Sequence, residues 1–128
     1  MKKQKTYRLG DLQLRIMKVL WDRKEATVAQ VLEALPNAST SAYTTIATML
    51  RKMEGRGLVA HRVEVRSFIY RAKVAEAVVS RSMADHLMDR LFEGSLTQAV
   101  SHLLSTREVS RDELTKLERM ISERKKKS

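Results

Sequence analysis

The sequence has no cysteine among its 128 residues and a single proline. Without cysteine there is no disulfide, no thiolate zinc site, no iron–sulfur cluster and no cysteine nucleophile. Aromatic residues make up only 5% of the chain, too few for a large β-sandwich core. Long apolar runs are missing as well. The basic start Met1-Lys2-Lys3-Gln4-Lys5 is not followed by an apolar segment, and Lys18, Asp22, Arg23 and Lys24 interrupt the next apolar stretch. Neither a signal peptide nor a membrane span is expected, so the expected address is the cytoplasm. Acid is the last shortage. Between Glu33 and Glu54 there is no carboxylate at all, while Ser39, Thr40, Ser41, Thr44, Thr45 and Thr48 keep that window polar.

What is present sets the class. Apolar residues reach 43%, ordinary for a folded protein and too high for a disordered one. The length fits one domain or two small ones. The formal net charge is +10, which points to an anionic partner. That charge is not spread evenly. Residues 1–73 hold 15 Lys/Arg against 6 Asp/Glu, or +9, and residues 74–128 hold 10 against 9. Three of those ten are the terminal Lys125, Lys126 and Lys127. The asymmetry predicts an anion-binding half, residues 1–73, and a helical half, residues 74–128, with a basic tail at 125–128.

Apolar spacing supplies the elements. Leu9, Leu12, Ile16, Val19 and Leu20 recur at helical intervals and predict a first helix over 9–21. Thr27-Val28-Ala29-Gln30 is a capping-box pattern opening a short second helix, which Pro36-Asn37 closes. A third helix is expected from about 41 to 54, with Ala42, Ile46, Met49, Leu50 and Met53 within about 80° of arc. Its other face holds Thr44, Thr48 and Arg51, flanked by Thr40, Ser41, Ala47 and Lys52, with Thr45 at the border. Residues 58–63 and 67–71 alternate as a β-hairpin around Glu64, Val65 and Arg66. The turn lacks Asn-Gly chemistry, so its position is not fixed by sequence. Phe68 and Tyr70 share a strand face and are expected to pack on the helices. Beyond Val74 the pattern is helical: one segment over 75–92 stopped at Gly94, a second opened by Ser95-Leu96-Thr97-Gln98, and a third opened by Ser110-Arg111-Asp112-Glu113.

Three short helices and a hairpin form the winged helix-turn-helix plan, whose third helix enters the DNA major groove. The expected fold class is therefore mainly α: a winged-helix N-terminal domain followed by a three-helix C-terminal dimerisation domain. A groove-facing surface must lack acid, because carboxylates meet phosphate repulsion. Thr44 and Thr48 offer hydroxyls and methyls to base edges, and Arg51 and Lys52 reach phosphate or guanine. Threonine is a poor choice for a merely solvated helix face. Arg62 and Arg66, in or beside the hairpin turn, are expected to grip DNA from the wing. In the second half Leu87, Leu91, Leu103, Leu104, Leu114, Leu117 and Ile121 exceed what three short helices hide within one chain, so a two-fold homodimer is expected. Enzyme signals are weak. His61, His86 and His102 show no metal-ligand spacing, and no serine elbow or Gly-rich phosphate loop occurs. No catalytic residue, metal or cofactor is expected.

Several runs resemble one family. They are Leu9-Gly10-Asp11-Leu12 with Ile16-Met17 and Val19-Leu20-Trp21, then Glu25-Ala26-Thr27-Val28, then Ala42-Tyr43-Thr44-Thr45-Ile46, Gly57-Leu58-Val59, Arg62 and Phe68-Ile69-Tyr70. Together they resemble the penicillinase-repressor (BlaI/MecI/CopY) family of bacterial winged-helix transcription factors, over about residues 8–122. The resemblance implies a homodimeric repressor on palindromic operator DNA. It implies recognition-helix roles for Tyr43, Thr44, Thr45, Thr48, Arg51 and Lys52, with Tyr43 and Thr45 resting mainly on it. Family members that respond to β-lactams work with a sensor-protease system that cuts an Asn-Phe bond, where this chain has His102-Leu103. The copper-responsive members use a Cys-x-Cys motif, which a chain without cysteine cannot form. Two other readings compete. A non-specific architectural DNA-binding protein accounts for +10 but not for the threonine face. A protein-interaction adaptor accounts for the apolar second half but not for the charge of the first.

Overall fold

The computed structural model of the chain describes residues 6–35 and 42–128. In order, the elements are α1 (Asp11–Arg23), β1 (Glu25–Thr27), α2 (Val28–Ala34), α3 (Tyr43–Gly55), β2 (Val59–Glu64), β3 (Ser67–Ala72), α4 (Glu76–Phe92), α5 (Leu96–Thr106) and α6 (Arg111–Lys126). They group into two compact units, Met1–Ala84 and Asp85–Ser128, with the division inside α4.

In the first unit the apolar spacing becomes a core. Ile16, Met17 and Leu20 of α1, Val28 and Val31 of α2, and Ile46, Leu50 and Met53 of α3 are buried together. Leu58, Val59, Tyr70 and Val79 close the cluster. Polar groups at its edge find partners. Trp21 donates its indole N–H to the carbonyl of Val74 at 2.8 Å, and the Tyr7 amide donates to Ser82 Oγ at 2.8 Å. At the start of α2, Thr27 Oγ1 accepts from the Gln30 amide and Gln30 Oε1 accepts from the Thr27 amide. Both halves of the predicted capping box are formed.

The sheet has one strand more than the hairpin expected from sequence. β1 pairs antiparallel with β3, giving the order β1-β3-β2. Ala26 sits opposite Tyr70 and is buried. Lys24, with φ at 74°, turns the chain out of α1 so that the next three residues reach the sheet edge. Three residues are too few to show a two-residue period, so this strand is set by tertiary pairing. Two further expectations shift. α3 begins at Tyr43, and Ala42 is its exposed N-cap rather than part of its buried face. Phe68 is 48% exposed, whereas Tyr70 is buried. The predicted pair of core aromatics therefore splits.

The second unit is built differently. Gly94 takes φ of 79° and ends α4 as expected, after Glu93 at 50°. Ser95 and Ser110 accept from the amides of Gln98 and Glu113 and start α5 and α6. Ala99 is the one buried hydrophobic residue of this unit. Among the described residues no helix is long and apolar enough to cross a membrane.

Candidate nucleic-acid interface

α3 is amphipathic because its two faces carry different chemistry. Burial of Ile46, Leu50 and Met53 fixes the helix on the core. Tyr43, Thr44, Thr45, Thr48, Arg51 and Lys52 are then held exposed. Thr45, placed at the border by spacing, lies on the open side, and Ala47 is half-buried. Thr44, Thr45, Thr48, Met49 and Lys52 line one shallow depression. Thr40 and Ser41 lie outside the described residues. The first carboxylate along the helix is Glu54, whose Oε1 is 2.5 Å from His61 Nδ1 on β2. From Tyr43 to Lys52 the acid-free window therefore presents one exposed face, and the helix then reaches a paired acid.

The hairpin places its cation by an unusual turn. Val65 and Arg66 alone join β2 to β3, with φ of 44° and 66°. Two positive φ values are the pattern of a type I′ turn, where Asn-Gly is preferred. Val65 is 89% exposed. Arg66 projects from this tip and has no ion-pair partner among the described residues.

Arg62 sits elsewhere. It lies on β2 opposite Ile69 and bonds two carboxylates, Glu64 on its own strand and Glu25 on β1 at 2.9 Å. Hydrogen bonds to Glu64 and Glu25 raise its pKa still further. Its charge is offset within the sheet before any ligand arrives.

Between α3 and the wing lies a cleft of about 240 Å³ lined by Tyr43, Arg51, Arg66, Ser67, Phe68 and Tyr70, with the start of α2 at one side. Phe68 stacks on His61 with ring centroids 4.2 Å apart and planes inclined by 19°. Burial and the nearby Glu54 push the Tyr70 phenol above its ordinary pKa, against the opposing Arg51.

Sequence reading missed three of these contacts: His61 with Glu54, His61 with Phe68, and Arg62 with Glu25. The strand register brings His61 opposite Tyr70 and diagonal to Phe68. A fixed turn would have given His61 with Phe68, but His61 with Glu54 required the packing of α3 against β2, and the pairing of Arg62 required β1. Among the described residues no group of three or more His, Cys, Asp or Glu is placed to hold a metal ion.

The remaining predicted residues lie in the second unit. Leu87, Leu91, Leu103, Leu104, Leu114 and Ile121 are exposed in the single chain, Leu91 by 63%, and Leu117 is half-buried. His102 and Leu103 are exposed on α5, and the His102 carbonyl accepts from Ser105 Oγ and Thr106 Oγ1.

Comparison with known proteins places the chain in a family. The sequence profile of the penicillinase repressor family matches residues 9–123. The chain belongs to this family. Across 122 residues it is 36% identical to the transcriptional regulator BlaI of Mycobacterium tuberculosis, covering 93% of this chain and 86% of the relative. It is 27% identical over 122 residues to the penicillinase repressor of Bacillus licheniformis, covering 95% of each. The solution structure of the DNA binding domain of the repressor BlaI matches with a TM-score of 0.50 at 30% identity, covering 59% of this chain and 93% of that domain.

Proposed function

We propose that the chain is a sequence-specific DNA-binding transcriptional repressor that acts as a homodimer on palindromic operators in the cytoplasm. One observation carries this reading. α3 exposes Tyr43, Thr44, Thr45, Thr48, Arg51 and Lys52 with no acid until Glu54, beside a wing tip bearing Arg66. Thr44 and Thr48 face base edges, and Arg51, Lys52 and Arg66 take phosphates or the adjacent groove. Thr40 and Ser41 precede this face in sequence. Arg62 makes a weaker DNA contact than Arg66, because a phosphate must compete with two carboxylates already bound.

Dimerisation rests on the second unit. With Ala99 as its one buried hydrophobic residue, residues 85–128 need a second copy to cover Leu87, Leu91, Leu103, Leu104, Leu114, Leu117 and Ile121. Residues 1–73 then read one half-site each, and residues 74–128 join the halves. Repression is by occupancy of the promoter. A single winged helix keeps half the contacts, so loss of the C-terminal interface, including by a sensor-linked protease cutting near His102-Leu103, releases the operator.

The placement is tested by exchanging charge at two sites. Arg51→Gln with Lys52→Gln lowers duplex affinity and flattens its salt dependence by about two phosphate contacts. Lys125→Ala, Lys126→Ala and Lys127→Ala together leave most of that affinity. If the tail variant abolishes binding and the α3 variant does not, the site lies elsewhere.

A further inference from the structure

The cleft between α3 and the wing has a composition that duplex binding alone does not require. Its volume of about 240 Å³ falls below the roughly 300–1,000 Å³ of sites for drug-sized ligands. That is room for one ring with one polar substituent. Tyr43, Phe68 and Tyr70 supply aromatic surface, and Tyr70, itself buried, forms part of the lining. Arg51 and Arg66 line the same space, and neither has an ion-pair partner among the described residues. Ser67 adds a hydroxyl. Among the described residues no carboxylate lines the cleft, and Glu54, which acts on Tyr70 from nearby, is bound to His61.

Each feature selects part of a ligand. Guanidinium groups match a planar carboxylate through paired N–H donors. Aromatic walls favour a flat apolar body over a hydrated inorganic anion. We propose that this cleft is a receptor for a small aromatic carboxylate, with its ring among Tyr43, Phe68 and Tyr70 and its carboxylate on Arg51 and Arg66. A consequence rests on the DNA-binding reading above. Because Tyr43, Arg51 and Arg66 belong to both surfaces, ligand and duplex exclude each other. The cleft then offers release of DNA by a small molecule, with no cysteine and no backbone cut.

The test is a nitrogen-15 NMR titration of the full chain with benzoate, with benzyl alcohol and acetate as the partial probes. Benzoate is expected to shift the amides of residues 27–29, 47 and 66–68 with a Kd of about 1 mM or tighter, as befits so small a ligand. Each partial probe binds about tenfold more weakly or worse. Arg66→Gln, at an exposed turn, and Phe68→Leu each weaken benzoate by about tenfold, while Arg119→Gln on α6 has no effect. No shift below about 20 mM benzoate, shifts mapping elsewhere, or equal binding of benzyl alcohol overturns the receptor.

Duplex binding is then measured with and without saturating benzoate at matched ionic strength. A loss of about tenfold supports the shared surface. Unchanged duplex affinity beside a cleft-mapped NMR response overturns the exclusion. Absence of duplex binding before any benzoate is added overturns the DNA reading, and the receptor is then judged by its own titration.

Discussion

Val65 is the residue least suited to its place. Its φ of 44° is one that β-branched side chains disfavour, and such a conformation costs about 1–3 kcal/mol. The tip holds it because β2 and β3 stay in register to Glu64 and Ser67, leaving two residues to close the turn. Val65→Asn suits the same dihedral angles and is expected to raise unfolding stability by about 0.5–1 kcal/mol. A urea-unfolding midpoint checks this, and a lower midpoint would contradict the turn assignment. The residue scale also shows where sequence reading stops. Thr44, Thr48, Arg51 and Lys52 were legible because helical spacing places them opposite Ile46 and Leu50. The paired state of Arg62 was not legible, since Glu25 lies 37 positions away and meets it through the sheet. Phe68 and Tyr70 shared a predicted face. Tyr70 is the one that meets Ala26 of β1, and Phe68 lies beside the exposed turn, beyond the reach of β1.

At the scale of elements, periodicity and capping were sufficient wherever an element was long enough to repeat. α1, α3, α4, α5 and α6 each span at least three turns; the expected bounds of α1, α3 and α4 fall within about two residues of the observed ones, and α5 and α6 begin at their capping boxes. β1 has three residues and no period to detect. α2 has seven, too few to be stable as an isolated helix, and it depends on its ends and its packing. Thr27 therefore matters beyond its size. Thr27→Ala removes the acceptor for the Gln30 amide and is expected to lower stability by about 1 kcal/mol. Chemical denaturation measures it, and a change below about 0.3 kcal/mol would show that packing of Val28 and Val31 alone holds α2. Because α2 packs against α3, the same variant weakens the platform from which α3 is proposed to read DNA.

For the whole molecule, the first question is why one chain has two kinds of surface. The first unit buries a full set of aliphatic side chains and carries the basic excess, whereas the second leaves Leu87, Leu91, Leu103 and Ile121 open. Apolar exposure repeated along three helices calls for a partner. Leu91→Glu with Leu103→Glu is expected to convert a micromolar dimer to monomer in sedimentation velocity. A monomeric wild-type chain at the same concentration would contradict the dimer. The second question is whether the acid-free face of α3 reads sequence or only charge, and this is the centre of the account. The direct measurement is the ratio of affinities for the palindromic DNA upstream of the chain's own gene and for a scrambled duplex at physiological salt. It is compared between wild type and a Thr44→Ala, Thr48→Ala variant. The account predicts a wild-type ratio of at least ~10³ that collapses in the variant while the salt dependence persists. A wild-type ratio near one, or a ratio unchanged by the two substitutions, would contradict it.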